Sequence, residues 1–179
     1  DYRVYECIYN GAAPSNSGKG IVSLEEPTHT DLQPRTESDG YIWKYLYSIR
    51  PSDIIKFDSV EYIPVPADWA TNTNTAAVRN AAVDGKIEVV TIEDVTSASY
   101  QFSGTKNNVP IKGDGQDALA SVTFVNGKPT TATVTNGGTG YTFGTVDLDS
   151  VVTGSGASFS VIIPPPGGHG FDIDRELGA

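Results

Sequence analysis

The amino-acid sequence predicts a mainly β protein, with β-sandwich-like sheets and one or two short helices in the connecting segments. The chain of 179 residues contains 48 Val, Ile and Thr residues in total, but only 6 Leu and no Met. β-Branched side chains fit a pleated sheet and lose rotamer freedom in a helix, so this composition excludes a helical bundle. Stretches that alternate polar and apolar residues and the hairpin-turn dipeptide Asn126-Gly127 support the same fold class.

Charge and cysteine content exclude several classes of partner and scaffold. The chain carries 12 basic and 22 acidic residues, a net charge of −10, with no Lys or Arg between Lys128 and Arg175. Because clustered basic side chains bind a phosphate backbone, we expect no nucleic-acid partner. The single cysteine, Cys7, excludes an internal disulfide, and no apolar run approaches the ~20 residues of a membrane span, so no membrane partner is expected. Since Met is absent, we interpret the chain as an excised fragment.

Two strands are predicted in the first 50 residues. Residues 1–10 alternate in strand fashion, and the Pro-, Ser- and Gly-rich run 12–20 is predicted to be a loop. In the strand 41–49, a period of two places four aromatic side chains on one face, Tyr41, Trp43, Tyr45 and Tyr47. This aromatic face fits ordinary core and equally an interface with another subunit, since Tyr and Trp are enriched at interfaces. A sugar-binding platform is a third interpretation.

Two short helices are predicted between residues 50 and 85. The start of the first is predicted at Pro51-Ser52-Asp53, with Ser52 as its N-cap and Asp53 near the positive helix end. The second runs over 75–83 with Thr75 as its cap, and Gly85 is the left-handed residue that ends it. Both helices connect strands rather than form a core of their own.

The chain from Gly85 onward is predicted to contain two copies of one β unit, 85–126 and 127–163. Each copy begins with Gly-Lys and a β-rich run, and later carries Tyr-x-Phe, with Tyr100 in the first and Tyr141 in the second. The Gly-Lys pairs are 42 residues apart and the tyrosines 41. Ahead of a strand in each copy, the motif Gly113-x-Gly115 resembles Gly154-x-Gly156. Repetition at a fixed period indicates a duplicated unit.

Motifs that carry chemistry in other proteins are incomplete here, so no enzyme is predicted. The glycine loop 136–140 is followed by a strand pattern, whereas a phosphate loop needs a helix there, and a turn is favoured. Aspartates near Asp114 and Asp147 lack calcium-loop spacing, although a weak ion site stays open. His169 lies shortly before Asp172, but the sequence contains no nucleophile motif to go with such a pair. It also contains no second histidine at metal-ligand spacing. We therefore assign no catalytic, cofactor-binding or metal residues and expect no cofactor.

Several motifs towards the two ends of the chain are long and contain rare residue types. They are Tyr5-x-Cys7-Ile8, Asn10-Gly11, the run from Glu37 to Tyr47, Phe57, Tyr62-Ile63-Pro64-Val65, Pro165-Pro166-Gly167-Gly168-His169-Gly170 and Arg175-Glu176-Leu177-Gly178-Ala179. Together they resemble the N-terminal region of a baseplate wedge subunit of T-even-like contractile-tailed bacteriophages. The resemblance covers residues 1–68 and 164–179, and members of the family are longer than this chain.

This resemblance implies a β-rich structural subunit of the virion, located in the tail baseplate and assembled in the host cytoplasm. It also implies a homodimer that contacts other baseplate wedge subunits, with no catalytic residues to carry over. Because the motifs bracket the repeat-like middle, we predict that 1–69 and 164–179 form a flanking β-rich domain. Residues 70–163 are then an inserted β domain.

Two other classes of function stay open. The main alternative is a carbohydrate- or host-receptor-binding β module, in which the aromatic face binds the ligand. A secreted glycan-active enzyme is a weaker interpretation, because such an enzyme needs two opposed carboxylates that the sequence does not place.

Overall fold

A computed structural model describes residues 2–11 and 19–178 of the chain. It contains 36% strand and 10% helix, which confirms the prediction of a mainly β protein. The described strand pairs are antiparallel, and some of the strands curl into a half-barrel. Most of the loop predicted at 12–20 lies outside the described residues.

The N-terminal sheet has three strands, β1 (Arg3–Tyr9), β2 (Arg35–Thr36) and β3 (Ile42–Ser48). β3 lies between the other two, so Trp43 faces Cys7 on one side and Arg35 on the other. The positions of β1 and β3 agree with the two strands predicted from alternation. The sheet therefore carries the aromatic face on its central strand.

Three short helices connect or follow the strands, α1 (Pro51–Phe57), α2 (Ala76–Asn80) and α3 (Ile173–Leu177). The prediction of Ser52 as an N-cap was wrong. Pro51, with its fixed φ, takes the start of α1, and Arg50 becomes the capping residue without a side-chain bond. α2 follows Thr75 as expected but ends before the predicted 83, because Ala81 already closes its last turn. α3 was not predicted.

Eight further strands form the middle of the chain. They are β4 (Val89–Asp94), β5 (Ser99–Tyr100), β6 (Gly104–Gly113), β7 (Leu119–Val125), β8 (Lys128–Asn136), β9 (Gly144–Val146), β10 (Gly154–Ser155) and β11 (Ser158–Ile162). One sheet has the order β8-β7-β6-β9, and two smaller sheets pair β4 with β11 and β5 with β10. β4 and β8 are edge strands of neighbouring sheets.

Apolar side chains collect in two clusters. The first contains Val4, Leu46, Tyr47, Trp69, Val78 and Ile173. It joins residues from both ends of the chain, and the indole N–H of Trp69 donates to the Phe171 carbonyl at 3.1 Å. The second cluster is built from buried residues between Ile87 and Val152. Val78 is the only described buried member of the first cluster from within 70–163, and the two-domain division stays a prediction.

The two halves of the middle segment exchange strands. β7 of the first predicted copy pairs with β8 of the second, and β11 of the second pairs with β4 of the first. The two pairings also have corresponding registers. Ser121 of β7 is opposite Thr133 of β8, and Ser160 of β11 is opposite Thr91 of β4. These pairings support the two-copy repeat, which stays a prediction.

The two repeat tyrosines make corresponding contacts across the halves. The Tyr100 amide donates to the Gly127 carbonyl at 2.9 Å, and the Tyr141 amide donates to the Gly85 carbonyl at 3.0 Å. The Tyr100 hydroxyl accepts from the Ala157 amide, and that of Tyr141 accepts from the Ala118 amide. A Cβ at Gly154 would lie 2.8 Å from the Tyr100 ring, and a Cβ at Gly115 would lie 2.4 Å from the Tyr141 ring. The Tyr141 ring is also approached by Gly113 and Gly138, where a Cβ would lie 3.0 and 2.9 Å from it.

Candidate functional site

The aromatic face divides between core and partly exposed surface. Tyr47 is buried in the first cluster, where its ring contacts Trp69 with centroids 6.2 Å apart. Its hydroxyl donates to the Pro64 carbonyl at 3.0 Å, so the buried polar atom is satisfied. Tyr47 is therefore a core residue.

The other three aromatic residues of this face are half-buried. Tyr41 and Trp43 stack with ring centroids 5.5 Å apart and planes 15° from parallel. Tyr45 lies edge-on to Tyr5, and its hydroxyl is 3.0 Å from the Ser48 hydroxyl. The indole nitrogen of Trp43 is buried without a hydrogen-bond partner among the described residues. These three side chains retain surface that another subunit can cover.

The family-like motif Gly167, Gly168, His169 and Gly170 forms a tight turn that places a histidine against two acids. Gly168 has φ +92°, and a Cβ there would lie 2.5 Å from the Val83 amide nitrogen. The turn brings His169 Nδ1 within 2.8 Å of Glu6 Oε2 and 2.9 Å of Glu176 Oε1. Glu6 lies on β1 and Glu176 on α3, so the cluster joins elements distant in sequence.

Electrostatics keep this histidine charged. Burial acts to lower the pKa of His169, but hydrogen bonds to Glu176 and Glu6 outweigh it and raise the pKa to about 9. Burial raises the pKa of Glu6. The pKa of Glu176 is also pushed up by burial, yet hydrogen bonds from His169 and the Gly170 amide leave it below its usual value. The cluster is an imidazolium held between two carboxyl groups.

A buried lysine lies near the same cluster. Lys44 on β3 is almost fully buried, and its ammonium donates to the Leu32 carbonyl. Burial lowers the pKa of Lys44, while the charges of Glu88, Glu176 and Glu6 act in the opposite direction. Two cationic groups thus face the acids in a region of low dielectric.

One imidazole nitrogen and two carboxylates are also a donor set that Zn²⁺ accepts. The ligand atoms of Glu6, His169 and Glu176 lie within 4.8 Å of one another. A metal at Nδ1 would have to displace the proton that both acids stabilise there, against the nearby charge of Lys44. The arrangement is explained as an ion-pair cluster that attaches the C-terminal segment to β1.

An exposed apolar segment follows β3 and was missed by the sequence analysis. It comprises the side chains of Ile55, Phe57, Val60, Tyr62 and Ile63, which are between 49% and 105% exposed. A tight turn holds them, because the Ser59 hydroxyl oxygen accepts from the Glu61 and Tyr62 amides at 3.2 and 3.1 Å. The signal in the sequence was a run of large apolar residues beside two prolines, where loops are usually polar.

A groove of about 680 Å³ lies beside the edge strands β4 and β8. It is lined by residues 86–92 and 129–135, with Tyr9 and Ile42 from the N-terminal sheet. Threonine and valine are the most frequent residues in its lining, and Lys86 is paired with Glu88 at 3.6 Å. This volume suits a small ligand.

Two of the aspartates considered for a cation, Asp114 and Asp147, bond to other groups of the chain. Asp114 accepts hydrogen bonds from the Thr142 hydroxyl and amide and from the Phe143 amide. These bonds, that from the Thr142 side chain first, lower the pKa of Asp114 to about 2. Asp147 is 2.7 Å from the Lys112 ammonium, whose hydrogen bond lowers the Asp147 pKa.

No family model, curated protein or solved structure matches this chain. Within residues 2–11 and 19–178, no helix is long and apolar enough to cross a membrane.

Proposed function

We propose that the protein is a structural component of a phage tail baseplate wedge that acts in virion assembly through protein–protein contacts. The observation that carries this proposal is the exposed apolar segment. Monomeric surfaces rarely expose several large apolar side chains in one short stretch, and such patches mark interaction sites. Phe57, Tyr62 and Ile63 also belong to the motifs that resemble the wedge subunit.

The proposal includes no catalytic role and no nucleic-acid or membrane partner. Its partners are a second copy of the chain and other baseplate wedge subunits, in the virion and during assembly in the host cytoplasm. The net charge of −10 keeps a free subunit soluble and favours basic patches on those partners. The half-buried side chains Tyr41, Trp43 and Tyr45 are the surface proposed for the homodimer.

Sedimentation velocity of the wild type, with and without individually purified wedge subunits of a T-even-like phage, tests the proposal. Co-sedimentation with at least one subunit supports it, and no association with any of them contradicts it.

The homodimer is tested by Trp43→Ala, with the exposed Phe143→Ala as a matched control away from this face. If Trp43 anchors the dimer, its truncation weakens association by roughly 2 kcal/mol or more and leaves the melting temperature of the monomer unchanged. A loss of fold stability of roughly 3–5 kcal/mol instead identifies Trp43 as core.

The groove beside β4 and β8 favours one second candidate, a carbohydrate- or host-receptor-binding module. Its volume and its threonine hydroxyls suit a saccharide. A glycan array tests this candidate: specific binding that is lost on Thr133→Val would favour it over the assembly role.

A further inference from the structure

We infer that the exposed apolar segment inserts into an apolar pocket bordered by Lys and Arg side chains on a different protein. This inference rests on the proposed assembly function and specifies the chemistry of one partner. The area, the rigidity and the charge of the segment, which comprises Ile55, Phe57, Val60, Tyr62 and Ile63, point to this partner.

The area is sufficient for a specific contact. The five residues are between 49% and 105% exposed, and two of them are aromatic, a side-chain type that buries about 150–250 Å² each. A standard interface takes roughly 800 Å² from each partner, so exposed side chains of this size can form the apolar centre of one side. Val60 and Tyr62 are the most exposed residues of the turn and are expected to reach deepest into the partner.

The segment is held in one shape before binding. The Ser59 amide donates to the Tyr62 carbonyl at 3.0 Å, and the Asp58 amide donates to the Ile54 carbonyl at 3.3 Å. Its C-terminal end is attached to the core through the Tyr47–Pro64 hydrogen bond. A preorganised anchor loses little conformational entropy on docking, which favours affinity.

Charge identifies the kind of partner. Asp53, Asp58 and Glu61 border the apolar side chains, with Lys56 as the only basic residue in 52–63. Arg50, which precedes them, is paired with Asp68 at 3.0 Å and does not neutralise these acids. An acidic border around an apolar centre is complementary to a pocket with a basic border.

The same border disfavours two other occupants. A second copy that docked on this segment through the same segment would bring two acidic borders together. An anionic membrane surface attracts basic segments and repels acidic ones. The partner is therefore another protein.

The experiment measures binding of individually purified wedge subunits of a T-even-like phage to this chain. The variants are Val60→Ser with Tyr62→Ser, and separately Glu61→Lys. Their controls are the exposed Phe143→Ser and Asp149→Lys elsewhere on the surface. We expect the apolar variant to weaken binding to at least one subunit about tenfold or more, a loss of about 1.4 kcal/mol. Glu61→Lys should weaken it as well and reduce its salt dependence, and the controls should bind as wild type does.

Each other outcome overturns the inference. If a subunit binds and both segment variants bind equally well, the proposed function survives and the assigned surface is wrong. If no subunit binds the wild type, the proposed function fails as well. Self-association that is lost in the variant with both Val60→Ser and Tyr62→Ser identifies a second copy as the occupant. Binding to vesicles of phosphatidylserine and phosphatidylcholine that depends on Tyr62 identifies a membrane.

Discussion

Replacement of His169 by glutamine removes the imidazolium that lies between Glu6 and Glu176. The substitution keeps a hydrogen-bond donor but leaves the carboxyl groups of Glu6 and Glu176 facing each other. The Glu176 side chain is only 2% exposed. Removal of one partner from a buried ion pair usually costs about 3–5 kcal/mol. Because the Gly170 amide still donates to Glu176, we expect a loss near the lower end of that range at pH 6.

The cost of His169→Gln should depend on pH. The folded pKa of His169 is raised from 6.5 to about 9, so the folded state binds the proton more tightly than the unfolded state. The resulting stability is fully present below pH 6.5 and is lost as pH rises through about 9. At 1.36 kcal/mol for each pKa unit, the raised pKa of His169 contributes at most about 3 kcal/mol to the free energy of unfolding. Solvent screening at the partly exposed Glu6 reduces this contribution to about 2 kcal/mol.

Urea denaturation at pH 6, 7.5, 9 and 10 measures this dependence. Fluorescence reports on the relevant cluster, because Trp69 is buried there and bonds to Phe171 beside the histidine turn. Lys44, whose pKa is lowered by burial, contributes with the opposite sign in this range. Since both proteins retain Lys44, the difference between wild type and variant removes most of its contribution.

The difference in the free energy of unfolding between wild type and His169→Gln is expected to be largest at pH 6 and smaller by about 2 kcal/mol at pH 10. Glu176→Gln should shift the fall of stability to lower pH, because the histidine then has one carboxylate fewer to hold its proton. A difference between wild type and His169→Gln that stays constant from pH 6 to 10 would show that folding does not raise the pKa of His169. The assigned ion-pair cluster would then be wrong.

Three other predictions follow from single contacts. Gly85→Ala should destabilise the fold by roughly 1–3 kcal/mol more than Gly140→Ala in thermal melts. Both glycines have positive φ, but only at Gly85 would the added Cβ meet the backbone, 2.3 Å from the Tyr141 nitrogen. Equal costs would contradict this close approach. Tyr47→Phe should lose about 1 kcal/mol in urea unfolding, through its hydrogen bond to Pro64, and an unchanged midpoint would argue against that bond. The carboxyl pKa of Asp114, followed by NMR, should be about 2 and should rise in Thr142→Val, whereas an unaltered value would exclude the Thr142 hydroxyl as its main cause.

The strand-rich fold could be predicted because its signals are local. Alternation marked β1 and β3, and the hairpin dipeptide Asn126-Gly127 lies between β7 and β8. The capping of α1 was mispredicted for an equally local reason: Pro51 and Ser52 both favour helix starts, and the proline took the first position.

The histidine cluster could not be predicted, because its members come from distant parts of the chain. Glu6 lies on the first strand, while His169 and Glu176 belong to the last 15 residues. Alternation places Lys44 on the face of β3 opposite the aromatic side chains, but alternation alone does not tell whether a face is buried. Nothing in the spacing of single residues reports that two ends of a chain meet.

The exposed apolar segment and the middle of the chain use their large side chains differently. In the middle segment, Tyr100 and Tyr141 each bridge the two halves, so its large side chains are used to hold the strands together. In the flanking part, the buried Tyr47 and Trp69 build the core, and the side chains from Ile55 to Ile63 point away from it. A core residue anchors this segment without covering it, since Tyr47 bonds to Pro64 at its end. Among the residues that the structure describes, nothing covers the apolar side chains of this segment.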